Sequence, residues 1–157
     1  MAVRSKMSDE RVVIEQPIPG VTQFRSNPSG KLMAQIVSAE TTSSGITFLT
    51  SNHEQFQVGL LGWKSGHRIP AHSHREIPRE IDRTSEVLFI RKGKVKMSLF
   101  TDEGDLLTNS TLSAGDIVTL FEGGHGFEIL EDAEIVEIKQ GPYLGEDEKY
   151  RFESDKQ

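Results

Sequence analysis

The feature that most constrains this chain is a succession of short apolar segments between residues 55 and 140. Each segment is closed by glycine or by a polar turn, and regular spacing of this kind is typical of an all-β sandwich or barrel. Val95, Met97 and Leu99 alternate with polar residues, as a strand with one buried face requires. The segments cover roughly 57–63, 69–74, 85–91, 94–100, 106–112, 116–121, 125–130 and 134–140.

The turns between these segments predict how the strands connect. Residues 92–94 (KGK) and 102–105 (DEGD) have the composition of hairpin turns, with glycine where a positive φ is cheap. Residues 31–37 fit either a strand or a helical turn. A chain of 157 residues suffices for one domain with a real core. We expect a loose N-terminus over 1–10, a folded β domain over 11–145 and a charged tail over 146–157.

Charge and composition exclude several classes of protein. The net charge of −6 argues against a nucleic-acid partner, which would meet a basic surface. The absence of cysteine excludes disulfides and thiolate metal ligands. No apolar run reaches the length of a signal peptide or a membrane span, so we expect a cytoplasmic protein without a membrane partner.

Three histidines and one glutamate form the candidate site. His72 and His74 are two residues apart, so on a strand both imidazoles point to the same face and can share a metal ion. Glu86 falls in a row with Leu88 and Ile90, where a carboxylate is costly unless a cation or hydrogen bonds compensate its charge. His125 follows a Gly-Gly pair at the start of a later segment.

The spacing of these residues resembles the two motifs of the cupin family. In the first motif, five residues lie between Gly66 and His72, and six residues lie between Glu86 and Gly93. Eleven residues separate His74 from Glu86, where cupins usually have three or four, and we interpret the extra residues as an enlarged loop. Glu76 and Glu80 are rival ligands nearer to His74, but neither has a glycine seven residues later.

The second motif is matched less closely. Gly115 and Asp116 open it, Phe121 replaces a proline, and His125 arrives one residue early. Ile129 stands where the family has asparagine. The resemblance covers about residues 55–140 and implies a cupin jelly-roll barrel, the double-stranded β-helix, whose metal ligands would be His72, His74, Glu86 and His125.

The resemblance also implies a function. Cupins of this kind would hold one divalent transition metal per chain, such as Zn, Fe, Ni or Mn, and many are homodimers. A longer pattern, residues 115–130 (GDIVTLFEGGHGFEIL) together with residues 138–143 (IKQGPY), is similar to small single-domain cupins associated with bacterial surface-polysaccharide biosynthesis. The reaction stays open, because cupins include dioxygenases, isomerases and epimerases.

The enlarged loop suggests the chemistry of the ligand. Its arginines, Arg75, Arg79 and Arg83, suit carboxylate or phosphate groups, so we expect a small anionic, sugar-like or carboxylate ligand. Two alternatives remain. One is a non-catalytic cupin that binds or senses a ligand, and the other is a metal-free sugar isomerase or epimerase with a histidine acid or base.

Overall fold

The computed structural model describes residues 9–152, and these residues form an all-β protein. The predicted loose N-terminus falls largely on residues 1–8, outside the described residues, as do residues 153–157 of the tail. Within the described residues, nine strands are followed by one short 3-10 helix, Glu146–Glu148. The strands are β1 (Val12–Ile18), β2 (Val21–Ser26), β3 (Leu32–Val37), β4 (Gly45–Phe48), β5 (Gly59–Gly62), β6 (Glu86–Phe100), β7 (Leu106–Ser113), β8 (Ile117–Leu120) and β9 (Gly124–Lys139).

Seven of these strands form one antiparallel sheet in the order β1-β2-β3-β8-β6-β7, with β9 also paired to β6. Strand β6 is its centre. The first residues of β6 pair with β8 and its later residues pair with β7, while β9 follows nearly the whole of the other edge. The sheet is not closed as a barrel. Strands β4 and β5 form a separate antiparallel pair.

Strands β6 and β9 form a long two-stranded ribbon that is interrupted by bulges near Gly93. The register shifts between Ile90 and Lys92, again between Lys92 and Lys94, and again before Val95. Gly93 has φ +82°, and a Cβ on it would lie 2.2 Å from the carbonyl oxygen of Asp132. A bulge of this kind bends the strand and changes which residues face the core.

These bulges correct part of the sequence prediction. The predicted hairpin turn at 92–94 is wrong, because the chain continues through it as one strand. Segments 85–91 and 94–100 are the two halves of β6, and segments 125–130 and 134–140 are the two halves of β9. The turn at 102–105 is confirmed: it joins β6 to β7, and Gly104 there has φ +94°.

The core lies on one face of this sheet. The predicted alternation is confirmed, since Val95, Met97 and Leu99 are fully buried. Leu88 and Ile90 are buried too, so the inward residues change from even to odd numbers across the bulges. The buried cluster is Val12, Phe24, Met33, Ala34, Leu88, Ile90, Val95, Met97, Leu99, Leu107, Leu112, Val118 and Leu120.

For one further segment the sequence allowed two structures, and for another the structure differs from the prediction. Residues 31–37, which fitted a strand or a helical turn, form strand β3. The predicted strand at 69–74 is wrong, because residues 63–85 contain no strand and every residue from 63 to 84 is exposed. Pro70 and Pro78 each remove a backbone donor there, and no neighbouring strand supplies hydrogen bonds. Within residues 9–152, no helix is long and apolar enough to cross a membrane.

Candidate functional site at the two ends of the ribbon

The site is centred on a contact between Glu86 and His125. The Oε2 atom of Glu86 lies 3.1 Å from Nε2 of His125, and their side chains are 12% and 33% exposed. Along the ribbon the two residues are far apart: Glu86 pairs with Lys139, and His125 pairs with Leu99. They can touch only because the ribbon folds back on itself. The bulges near Gly93 therefore help to assemble the site.

The environment of Glu86 favours its charged form. A hydrogen bond from His125 is the main reason that the pKa of Glu86 lies below its ordinary value. Partial burial of the carboxyl group opposes this shift, and the charges of His125, Lys139 and Lys149 add to it. The hydrogen bond from His125 and the neighbouring positive charges thus supply the compensation that the sequence pattern requires for a carboxylate in this row.

The two residues lie in a cleft of about 1050 Å³. It is bounded by the start of β6, the start of β9, the loop before β6 and the residues after the 3-10 helix. Its lining residues include six carboxylates and four basic side chains besides His125. They are Asp82, Glu86, Asp102, Glu122, Glu128 and Glu148, with Arg83, Lys96, Lys149 and Arg151.

His72 and His74 lie next to each other, as their spacing predicts, but not beside Glu86. Their ring centroids are 5.4 Å apart, and Nδ1 of His72 lies 2.9 Å from the carbonyl oxygen of Pro70. Both belong to the exposed segment 63–84. Among residues 9–152, no group of three or more histidine or acidic side chains is close enough to hold a metal ion. The structure therefore brings together two of the four predicted ligands.

The candidate carboxylates and the arginines are also divided between the cleft and the exposed segment 63–84. Glu76 and Glu80 are exposed on the 63–84 segment, whereas Glu86 lines the cleft. Arg83 also lines the cleft, and its Nη1 lies 3.3 Å from Oε2 of Glu122. Arg75 and Arg79 are exposed and line neither this cleft nor the smaller cavity of about 250 Å³ beside it.

Sequence reasoning did not identify the residues after β9 as part of the site. The carboxylate of Glu148 accepts a hydrogen bond from Oγ1 of Thr84 at 3.1 Å, and its Oε2 lies 4.0 Å from Nζ of Lys139. Phe152 packs on Phe100 with ring centroids 5.9 Å apart. The available signal was a pair of aromatic residues, Tyr150 and Phe152, inside a segment that otherwise looks like a charged tail.

Comparison of the chain with models of protein families, with curated proteins and with solved structures finds no match in any of the three. The interpretation of the site therefore depends on its own residues and their geometry.

Proposed function

We propose that this chain is a cupin-like protein that binds one divalent transition metal and a small molecule in the cleft at Glu86 and His125. The β architecture would be a relative of the jelly roll, with the bent ribbon enclosing one side of the site. The observation that carries the proposal is the 3.1 Å separation between Oε2 of Glu86 and Nε2 of His125.

This separation fits two ligands of one metal ion. Histidine nitrogens and carboxylate oxygens bind zinc at about 2.0–2.2 Å, so two adjacent ligands at a right angle are about 3 Å apart. A carboxylate and an imidazole are also donors that Zn, Fe, Ni and Mn accept. The pair would thus supply half of a four-ligand set once Nε2 of His125 loses its proton and the metal replaces the hydrogen bond.

His72 and His74 would supply the other half. They already lie side by side, and the segment that carries them has no buried residue between 63 and 84 to hold it in one position. Few contacts would be lost if this segment moved toward the cleft. Metal binding would then order the segment, because the ligands it contributes gain coordination only in the closed arrangement.

The charged side chains that line the cleft favour the binding of a cation over the binding of an anion. Glu122 is paired with Arg83, Glu128 with Lys96 and Glu148 with Lys139. Three further carboxylates, Asp82, Glu86 and Asp102, then face two further basic side chains, Lys149 and Arg151. A bound divalent ion would reverse this local balance and would act as a Lewis acid toward a ligand oxygen. A carboxylate or sugar-like acid would then bind at the metal, with Arg83 beside it.

The same contact supports a second candidate, a metal-free isomerase or epimerase. A histidine whose ring is oriented by a carboxylate is a common general acid or base. Here Glu86 fixes one nitrogen of His125, and the other nitrogen is left for a proton transfer to a sugar-like substrate. This candidate needs neither His72 nor His74.

Metal stoichiometry separates the two candidates. We would measure it by elemental mass spectrometry on untagged protein purified without chelators. The metal proposal expects near one transition metal per chain, falling to near none in His125→Ala and in the His72→Ala/His74→Ala double variant. His53→Ala is the matched control and should keep its metal, because His53 lies outside the predicted ligand set.

The other outcomes are equally informative. A folded protein without metal would overturn the metal proposal and favour the acid–base pair. Full metal content in the His72→Ala/His74→Ala variant would show that the exposed segment contributes no ligand.

A further inference from the structure

The residues after β9 cross the cleft, and we call residues 146–152 the strap. They begin with the 3-10 helix, and the five consecutive residues 148–152 all line the cleft. The strap covers the region where the start of β9 meets the loop before β6. It therefore lies between solvent and part of the Glu86–His125 site.

One end of the strap is held by Glu148. Its Oε1 accepts the hydrogen bond from Thr84, two residues before Glu86, and its Oε2 lies near the ammonium group of Lys139. Lys139 is also the ladder partner of Glu86. This anchor thus contacts β9 through Lys139 and the loop just before β6 through Thr84.

The other end of the strap is held by Phe152, whose ring lies over two glycines. A Cβ at Gly124 would be 2.5 Å from this ring, and one at Gly104 would be 2.8 Å from it. Gly104 has a positive φ and needs glycine for its turn, but Gly124 does not have a positive φ. The space above Gly124, next to His125, is therefore occupied by the ring of Phe152.

Between these anchors the strap is held weakly. No residue from 146 to 152 is buried, and Tyr150 is 84% exposed. The ion pair of Arg151 joins it to Glu146, which belongs to the strap itself. A segment with few buried contacts opens at low cost in free energy, as ligand-binding lids do.

We propose that the strap is a lid over the Glu86–His125 cleft, and that release of Phe152 from Gly104 and Gly124 admits ligand to the site. The inference rests on the proposed function, because it takes this cleft as the binding site. It adds a regulatory element: the state of the strap sets how fast a ligand reaches His125. The jelly-roll resemblance and the metal are not needed for it.

The test measures access to His125 directly. Diethyl pyrocarbonate acylates accessible imidazoles, and peptide mass spectrometry gives the rate at each histidine. With a third of its side chain exposed, His125 should react slowly in the wild type. In Phe152→Ala we expect its rate, relative to His53 in the same molecule, to rise about threefold as local opening exposes the whole ring.

Two further variants define the control and the second anchor. Leu144→Ala makes a similar apolar truncation just before the strap, at a side chain that is 70% exposed, and should leave the ratio unchanged. Thr84→Val removes the hydrogen bond to Glu148 and should raise the ratio less than Phe152→Ala does. Circular dichroism checks that each variant is folded.

Each protein is treated with a chelator and dialysed before the reaction, so that a metal ion cannot protect His125 and the result is independent of metal binding. An unchanged His125 to His53 ratio in folded Phe152→Ala would overturn the lid, whatever the metal stoichiometry. A raised ratio in a protein that binds no metal would retain the lid and reject the metal proposal.

Discussion

The two regions that carry the candidate ligands differ in how their positions are fixed. Glu86 and His125 belong to the ribbon of β6 and β9, where a long ladder of backbone pairs, interrupted near Gly93, and the buried inward face of β6 fix the backbone that carries them. His72 and His74 belong to the segment 63–84, where every residue is exposed and no ladder exists. The ribbon brings residues together across long sequence distances, whereas the segment keeps only its local i, i+2 proximity.

This difference indicates that the ribbon and the segment 63–84 would have different roles in ligand binding. The ribbon holds two groups at 3.1 Å before any ligand arrives, so binding does not have to bring them together. The segment would have to be ordered by the ligand, which lowers affinity but permits control of access. Each of the following predictions tests how far the two regions differ.

Truncation of an isoleucine should have the largest effect and should distinguish the regions clearly. Ile90 is fully buried in β6, whereas Ile77 is 58% exposed in the segment. We expect Ile90→Ala to lower the free energy of unfolding by about 2–5 kcal/mol, because a cavity replaces the lost side chain. Ile77→Ala should change it by less than about 0.5 kcal/mol.

Urea unfolding of both variants beside the wild type gives these values. Similar losses at the two positions would mean that the segment packs as firmly as the ribbon. The proposed difference between a firmly packed ribbon and a loosely held segment would then be wrong.

A pair of glycines provides a finer comparison. Gly93 and Gly66 have nearly the same φ, +82° and +88°, but a Cβ at Gly93 would meet the backbone of Asp132 while Gly66 has open space around it. Gly66→Ala should cost about 1 kcal/mol from the positive φ alone. Gly93→Ala adds a backbone clash at the bulge and should cost about 2–3 kcal/mol.

The second measurement on these variants is the reactivity of His125 toward diethyl pyrocarbonate. Gly93→Ala should change it, since the bulges bring the ends of the ribbon together, and Gly66→Ala should not. Equal thermal stabilities and equal reactivities would show that the bulge at Gly93 has no part in forming the site.

The sequence predicts those features that depend on local pattern. The alternation of Val95, Met97 and Leu99 identifies a strand and its buried face, and the row of Glu86 with Leu88 and Ile90 identifies the carboxylate that the fold places in the cleft. These signals are local because a strand repeats every two residues. The all-β class follows from them.

Features that depend on pairing between distant segments could not be predicted. Residues 92–94 have the composition of a hairpin turn, yet they form a bulge because β9 pairs with both halves of β6. Ile69 belongs to the predicted strand segment 69–74 but is 55% exposed. A strand forms only where a second strand pairs with it, and the residues of one segment do not show whether such a partner exists.

The pH dependence of stability gives the smallest expected effect and tests the ribbon contact itself. The pKa of Glu86 in the folded chain lies below its ordinary value of 4.5, chiefly through the hydrogen bond from His125. The stabilisation from this group is therefore fully present above about pH 5 and is lost as the pH falls through 4.5 and below. Its size should be under about 1 kcal/mol, because the carboxylate is partly solvated.

The measurement is the free energy of unfolding against pH for the wild type and Glu86→Gln, both with chelator present. The advantage of the wild type should be present above about pH 5 and should disappear as the solution becomes more acidic, because protonated Glu86 no longer accepts the hydrogen bond from His125 as a carboxylate. Glu134→Gln is the control and should retain the wild-type profile, because Glu134 is exposed and lies opposite Lys92 in the same ladder, away from Glu86. If Glu86→Gln also retained the wild-type profile, the carboxylate of Glu86 would not be held against His125 in solution. The proposal that these two residues are arranged before a ligand binds would then be wrong.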